Sequence, residues 1–249
     1  MQEPLLESAI DSIRVRFGSQ ALTRAAELPP PQPWLSRTPV DRLTGIGGLP
    51  CGRISLFTGN GTCGKLTLAM SLLANATHEF AHAMVIDPGL FDPWNLLSFY
   101  PELSALTVVS APTPDIAGEA AAALAKAGVG FILLMGEVPE PWLGPLESGA
   151  NRSGTVVVGV VDAPSRALSH ASSFSLGFAR TEWIWERGQL VGLRTSARCL
   201  KNRVATPLGE TRLEVRYPLG AKPLPDYAVH VVEAPVSVTE FVECESAVV

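Results

Sequence analysis

The chain has 249 residues, a net charge of −5, 47% hydrophobic and 17% charged residues. That is too apolar for a disordered chain and long enough to bury about 70–75% of its unfolded surface without a disulfide or metal staple. A pI near 5.4 argues against nucleic acid as a partner for the molecule as a whole.

The first element predicted is a helix over 5–17, with Leu6, Ile10, Ile13 and Phe17 at helical spacing and Gly18 as its stop. Leu28-Pro29-Pro30-Pro31-Gln32-Pro33 follows and cannot be helix interior, so residues 1–28 read as an arm and 29–44 as a proline-rich linker. Nothing near the start reads as a signal peptide or membrane span. From Arg53 to Leu134 short β-rich runs alternate with alanine-rich helical ones. Strands are predicted at 54–57, 83–86, 106–109 and 131–134, helices at 65–78 and 115–127. Such alternation predicts an α/β fold with a mostly parallel central sheet. Another buried strand, 155–161, is followed by runs at hairpin spacing (174–180, 183–185, 189–200 and 212–217) with Arg187-Gly188 as a turn, predicting an antiparallel C-terminal extension. The core is thus expected at 45–222, and 223–249 as an acidic, partly disordered tail.

Charge is segregated along the chain. Residues 1–151 carry −6, residues 152–222 carry +6 and residues 223–249 carry −5. The basic stretch, rather than the total, is the place to look for an anionic partner. Arg180, Arg187, Arg194, Arg198, Arg212 and Arg216 lie on its strands and turns, where a stripe of this kind follows a DNA backbone without reading sequence. Trp183 and Trp185 read either as base-stacking residues or as core and interface residues. The tail alternation Val236 to Glu245 suits strand addition or charge mimicry, with a solvated tail as the plain alternative. Cys51, Cys63, Cys199 and Cys244 are scattered, which indicates neither zinc nor a disulfide framework and fits a reducing cytoplasmic setting.

The most specific motif is Gly59-Asn60-Gly61-Thr62-Cys63-Gly64-Lys65-Leu66-Thr67, between a predicted strand and a predicted helix. GxxxxGK in that context lets loop amides and a helix N-terminus surround a phosphate, with Lys65 reaching its outer oxygens. The next residue in a working loop is Ser or Thr, which ligates magnesium. Here it is Leu66, and Thr67 is rotated by about 100° from that direction. The Asp expected after the strand 131–134 is replaced by Met135-Gly136, leaving Glu137 as the nearest carboxylate. The loop therefore reads as a scaffold or a weak ATP or ADP site, with ordinary ATP binding and slow hydrolysis as alternatives. No cofactor is required, and no catalytic or metal-ligating residue is assigned.

Gly45-Ile46-Gly47-Gly48-Leu49-Pro50-Cys51-Gly52-Arg53-Ile54, followed by this loop, resembles the bacterial RecA recombinase superfamily, in which a GGLPxGRI stretch precedes the same loop. Val85 to Pro93 is similar to the RecA stretch bearing the catalytic glutamate, Leu200 to Pro207 to its KNKxAxP strand, and the helix ending Arg16-Phe17-Gly18 to its leading helix. The resemblance implies a RecA-like P-loop core over roughly residues 7–220. It places the magnesium threonine at Leu66, the Walker B aspartate at Met135, the catalytic glutamate near Gly89 and the sensor glutamine near Asp162. The two DNA loops fall at 139–154 and 163–173, the first with Arg152 as its one cation. RecA's separate C-terminal domain has no counterpart.

Among degenerate paralogues the chain is most similar to the ImuA type. That likeness implies a cytoplasmic, nucleoid-associated accessory protein of the DNA damage response and translesion mutagenesis, with RecA and a Y-family-like polymerase as partners. It also implies that Lys201 and Arg203 reach across to a neighbour's ATP and that Phe17 belongs to an interface. The alternative is a slow DNA-dependent RecA-type ATPase acting directly in recombinational repair.

Overall fold

The computed structural model describes residues 3–17, 32–206, 209–217 and 230–233. Two compact units separate at Pro31/Gln32. In the first, Glu3–Phe17 form helix α1, matching the apolar spacing read from sequence. Ser12 Oγ donates back to the Ser8 carbonyl (2.9 Å). Val15 faces solvent, and the side chain of Phe17 lies outside the described residues.

In the second unit the elements are β1 (Pro33–Trp34), α2 (Val40–Leu43), β2 (Leu49–Pro50), β3 (Ile54–Thr58), α3 (Lys65–Glu79), β4 (Ala83–Asp87), α4 (Pro93–Leu97), β5 (Leu106–Ser110), α5 (Pro114–Ala127), β6 (Phe131–Met135), α6 (Glu140–Ser153), β7 (Val156–Val161), α7 (Arg166–Ala171), β8 (Phe174–Glu186), β9 (Gln189–Asn202), β10 (Glu210–Arg216) and β11 (His230–Glu233). Nine strands form one sheet in the order β11-β10-β9-β8-β3-β7-β6-β4-β5. Strands β8 through β5 along that order run parallel, and β8 to β11 pair antiparallel. The α/β architecture and its antiparallel extension are as the sequence predicts.

Period-two alternation divides the core between the two faces of the sheet. Phe57, Phe131, Leu133 and Val158 point to α3, whose Leu68, Leu72 and Leu73 meet them. Ile54, Leu56, Ile132, Leu134 and Val157 point to α5 and α6, whose Ala121, Ala125, Leu143 and Leu146 meet them. Because β6 and β7 are buried along their whole length, they read as continuous apolar runs rather than as alternation.

Four segments differ from the sequence reading. The stretch taken as linker is core-forming from Pro33 onward. Trp34 is 4% exposed, packed against Phe80 and Phe131 at 5.5 and 5.3 Å between ring centroids, and β1 pairs with β2. This pairing is why Gly48 is a glycine, since a Cβ there would lie 2.3 Å from the Trp34 carbonyl oxygen. The segments 139–154 and 163–173, aligned by resemblance with DNA-binding loops, carry helices α6 and α7 instead. Helix α6 packs on α5, where Gly118 makes room for the Trp142 ring, so it is a structural layer rather than an open loop. Within 223–249, residues 230–233 are not a loose tail but the edge strand β11, and its Glu233 pairs with Arg42 of α2.

Trp34→Ala is expected to lower unfolding stability by about 3–5 kcal/mol, read from chemical denaturation. A loss under about 1 kcal/mol contradicts the placement of residues 33–44 in the core.

Candidate functional site

Strand β3 is flanked by β7 and β8, and its crossover through α3 leads to β4 on the far side of β6 and β7. Ligands of open α/β sheets bind beyond the carboxyl ends of strands at such a change of direction. The Gly59–Thr67 loop stands there. It turns through left-handed backbone at Gly59, Gly61 and Gly64 (φ 148°, 60° and 85°). Gly59 and Gly64 are also crowded: a Cβ would lie 2.4 Å from the Phe178 carbonyl oxygen at Gly59, and 3.3 Å from the Thr195 methyl at Gly64. The antiparallel extension therefore closes one side of the loop.

A cleft of about 800 Å³ opens beside it, lined by Gly61–Thr67, Leu90, Met135–Glu137 and Val160–Ala163. The Lys65 side chain is 9% exposed and its ammonium finds two acceptors within the chain. It donates to Asp162 Oδ1 at 2.6 Å and to the Gly59 carbonyl at 2.5 Å. Residue 162, the position matched by resemblance to a sensor glutamine, thus carries a carboxylate that meets the loop lysine.

The chemistry of the donor set was tested against a magnesium nucleotide, which the loop implies. Loop amides and Lys65 suit phosphate, but the metal side does not. Leu66 packs against the apolar core and Met135 is buried, and neither side chain carries an oxygen. Glu137 is the nearest carboxylate after β6, and its Oε1 accepts the Ser165 N–H at 2.8 Å, just ahead of α7. Among the described residues no cluster of three or more His, Cys, Asp or Glu is placed to hold a metal. Magnesium nucleotide does not fit this site.

The remaining sequence candidates are dispersed. Lys201 points inward: its ammonium donates to the carbonyls of Ser169 and His170 at the end of α7 (2.5 and 2.9 Å), and burial followed by the nearby Arg203 charge lowers its pKa. Within the chain the Lys201 ammonium is thus held by carbonyls of α7, and Arg203 is the neighbouring cation left outside that arrangement. Arg203 is exposed at the chain's turn out of β9.

Two arginines of the stripe, Arg194 and Arg216, are paired with acids of the extension itself. Glu182, Arg194 and Glu214 stand directly opposite one another across β8, β9 and β10. Arg194 pairs with both acids, and Arg216 pairs with Glu214 and Glu186. Glu214, only 7% exposed, lies between the two guanidinium groups. Burial pushes its pKa up, but hydrogen bonds from Arg216 and Arg194 outweigh this and hold it below the ordinary 4.5. Arg180 reaches back to the Thr62 carbonyl (3.2 Å) with its guanidinium 4.4 Å over the Trp183 ring, tying the extension to the phosphate loop. Trp183 is therefore a packing residue, while Trp185 is exposed near the hairpin tip. Arg187 in the β8–β9 turn, Arg198 and Arg212 are exposed. No helix among the described residues is long and apolar enough to cross a membrane.

Comparison with known proteins agrees with this geometry. No protein-family model matches the chain. It is 27% identical to the RecA protein of Thermus aquaticus in an alignment of 265 positions covering 89% of this chain and 78% of that protein. It is also 27% identical to those of Salinispora arenicola, over 88% of this chain and 75% of that protein, and Nocardia farcinica, over 88% and 76%. These relatives support a RecA-like chain. In this RecA-like protein the glycine-rich loop and the parallel sheet are present, with Leu66 following the loop lysine and Met135 closing β6. The residue sequence reasoning left without a role is Asp162; it and Gly59 directly follow the paired residues Val161 and Thr58 of adjacent parallel strands, so the ends of β3 and β7 lie side by side.

Glu214→Gln is expected to lower stability by about 1–3 kcal/mol at pH 7. Because the folded pKa is depressed, the carboxylate's contribution is present above about 4.5 and is lost as pH falls through the folded value. Parallel denaturation of wild type and variant checks this: the gap narrows below pH 4.5, and a pH-independent gap contradicts it.

Proposed function

We propose that this RecA-like protein is a non-hydrolytic accessory of DNA repair that engages RecA and a Y-family-like polymerase in damage-induced mutagenesis. It modulates RecA filaments in the cytoplasm, at the nucleoid. The observation that carries the reading is the state of the hydrolytic apparatus. Leu66, Met135 and Gly89 stand where a magnesium ligand, a second magnesium ligand and a catalytic carboxylate are required, and the loop lysine is bonded to Asp162. Loss of one such part slows turnover, whereas loss of all three removes both charge neutralisation and water activation.

What remains is a scaffold on which surfaces act. RecA relatives covering about three quarters or more of their own length support a role in recombination or repair, and supply the reason for placing RecA among the partners. Of the two cations matched to the KNK stretch, Arg203 is the one whose exposure suits contact with a neighbouring protomer's phosphates, where a planar guanidinium is effective. DNA contact, if made through the extension, falls to Arg187 and Arg198 rather than to Arg194 and Arg216, whose charges meet Glu182, Glu186 and Glu214.

Phosphate release measured with and without single-stranded DNA should stay at the level of Lys65→Ala. Turnover that Lys65→Ala abolishes refutes the non-hydrolytic reading. Capture of ATP-loaded RecA filaments by the full chain should occur and fall at least about tenfold in Arg203→Ala; no capture by wild type removes RecA from the partners.

A further inference from the structure

We propose that Asp162 supplies, from within the chain, the anion that a ligand phosphate supplies in a working phosphate loop, so that the cleft is locked against phosphate ligands and the protein acts without a nucleotide. This deepens the proposed function and rests on the non-hydrolytic reading of the same loop.

The carboxylate is positioned rather than incidental. Gly59 N–H donates to the Asp162 carbonyl at 3.2 Å, joining the ends of β3 and β7 immediately before the turn. Three residues on, Ser165 N–H donates to Glu137 Oε1, and Ser165 Oγ in turn accepts the Leu168 N–H at 3.2 Å as the cap of α7. The 162–165 turn is therefore pinned at both ends, one end to the phosphate loop and the other to the segment after β6. Within that frame Asp162 Oδ1 lies 2.6 Å from Lys65 Nζ. A partner fixed in this way competes with a free ligand at an effective concentration far above that of a diffusing phosphate.

Electrostatics reinforce the competition. An entering phosphate that keeps Lys65 must share it with Asp162, placing like charges within a few ångströms of each other. In a working site magnesium neutralises such crowding, but Leu66 and Met135 offer it no ligand. The lysine cannot simply turn away, because its side chain is 9% exposed and a buried ammonium without a partner is costly. The asymmetry of the pair makes the lock removable: Asp162 is 70% exposed, so its replacement deletes the anion without opening the core.

Thermal unfolding and calorimetric titration with magnesium-free pyrophosphate provide the test. Wild type should show no shift in Tm at millimolar pyrophosphate. Asp162→Ala should unfold at lower temperature, regain stability with pyrophosphate, and bind it at least about tenfold more tightly than wild type. Asp162→Asn, which keeps the shape and drops the charge, should lie between them, and Asp162→Ala/Lys65→Ala should not respond. A wild type stabilised as much as Asp162→Ala, or an Asp162→Ala that gains no affinity, overturns the lock. A wild type that binds pyrophosphate but shows no turnover overturns it while leaving the accessory reading intact, so the two claims fail separately.

Discussion

The charge of Lys65 is the constraint around which this molecule is organised. The lysine opens α3 at the centre of the sheet, with its ammonium below the surface, and an ammonium so placed must be met by an anion or by several acceptors. In a nucleotide-binding loop the ligand meets it. Here Asp162 and the Gly59 carbonyl do so, and the bond joins the start of α3 to the residue after β7, the strand paired in register with β3 ahead of the loop. One contact thus satisfies a buried charge, holds the strand-to-helix turn and occupies the position where chemistry would begin.

The rest of the site follows from that substitution. Leu66, which offers no oxygen to a metal, packs against the core beneath α3. Glu137, the one carboxylate that follows β6 closely, fixes the backbone of the turn bearing Asp162. The antiparallel extension leans on the loop from the other side through Thr195 and Arg180. Glu182, Glu186 and Glu214 pair with Arg194 and Arg216, so the positive charge of the extension lies on its other basic residues rather than evenly along the stripe.

The parallel sheet and its helices were legible in the sequence because β6 and β7 are runs of apolar residues and α3 and α5 are long and alanine-rich. The phosphate loop was legible because glycine spacing is local. What escaped was long-range pairing. Lys65 and Asp162 are 97 residues apart, and only the β3–β7 register brings them together. The arginine stripe was misleading for the same reason: Glu182, Arg194 and Glu214 form a row only once β8, β9 and β10 are paired. Lys201 was readable as a cation but not as a cap, because α7 lay in a segment aligned with a loop. Trp34 was hidden by its prolines, which signal a linker but here lead into a strand whose tryptophan fills an aromatic gap between Phe80 and Phe131.

The central claim, that the Lys65 ammonium belongs to Asp162 rather than to a nucleotide, is tested most directly by nuclear magnetic resonance of the side-chain nitrogen of Lys65 during titration with magnesium ATP. With four lysines in the chain, the Lys65 signal is assignable by comparison with Lys65→Ala. The account predicts a slowly exchanging, hydrogen-bonded ammonium that moves on Asp162→Asn and does not move with ATP. A Lys65 signal that shifts and saturates with ATP in the wild-type protein contradicts it.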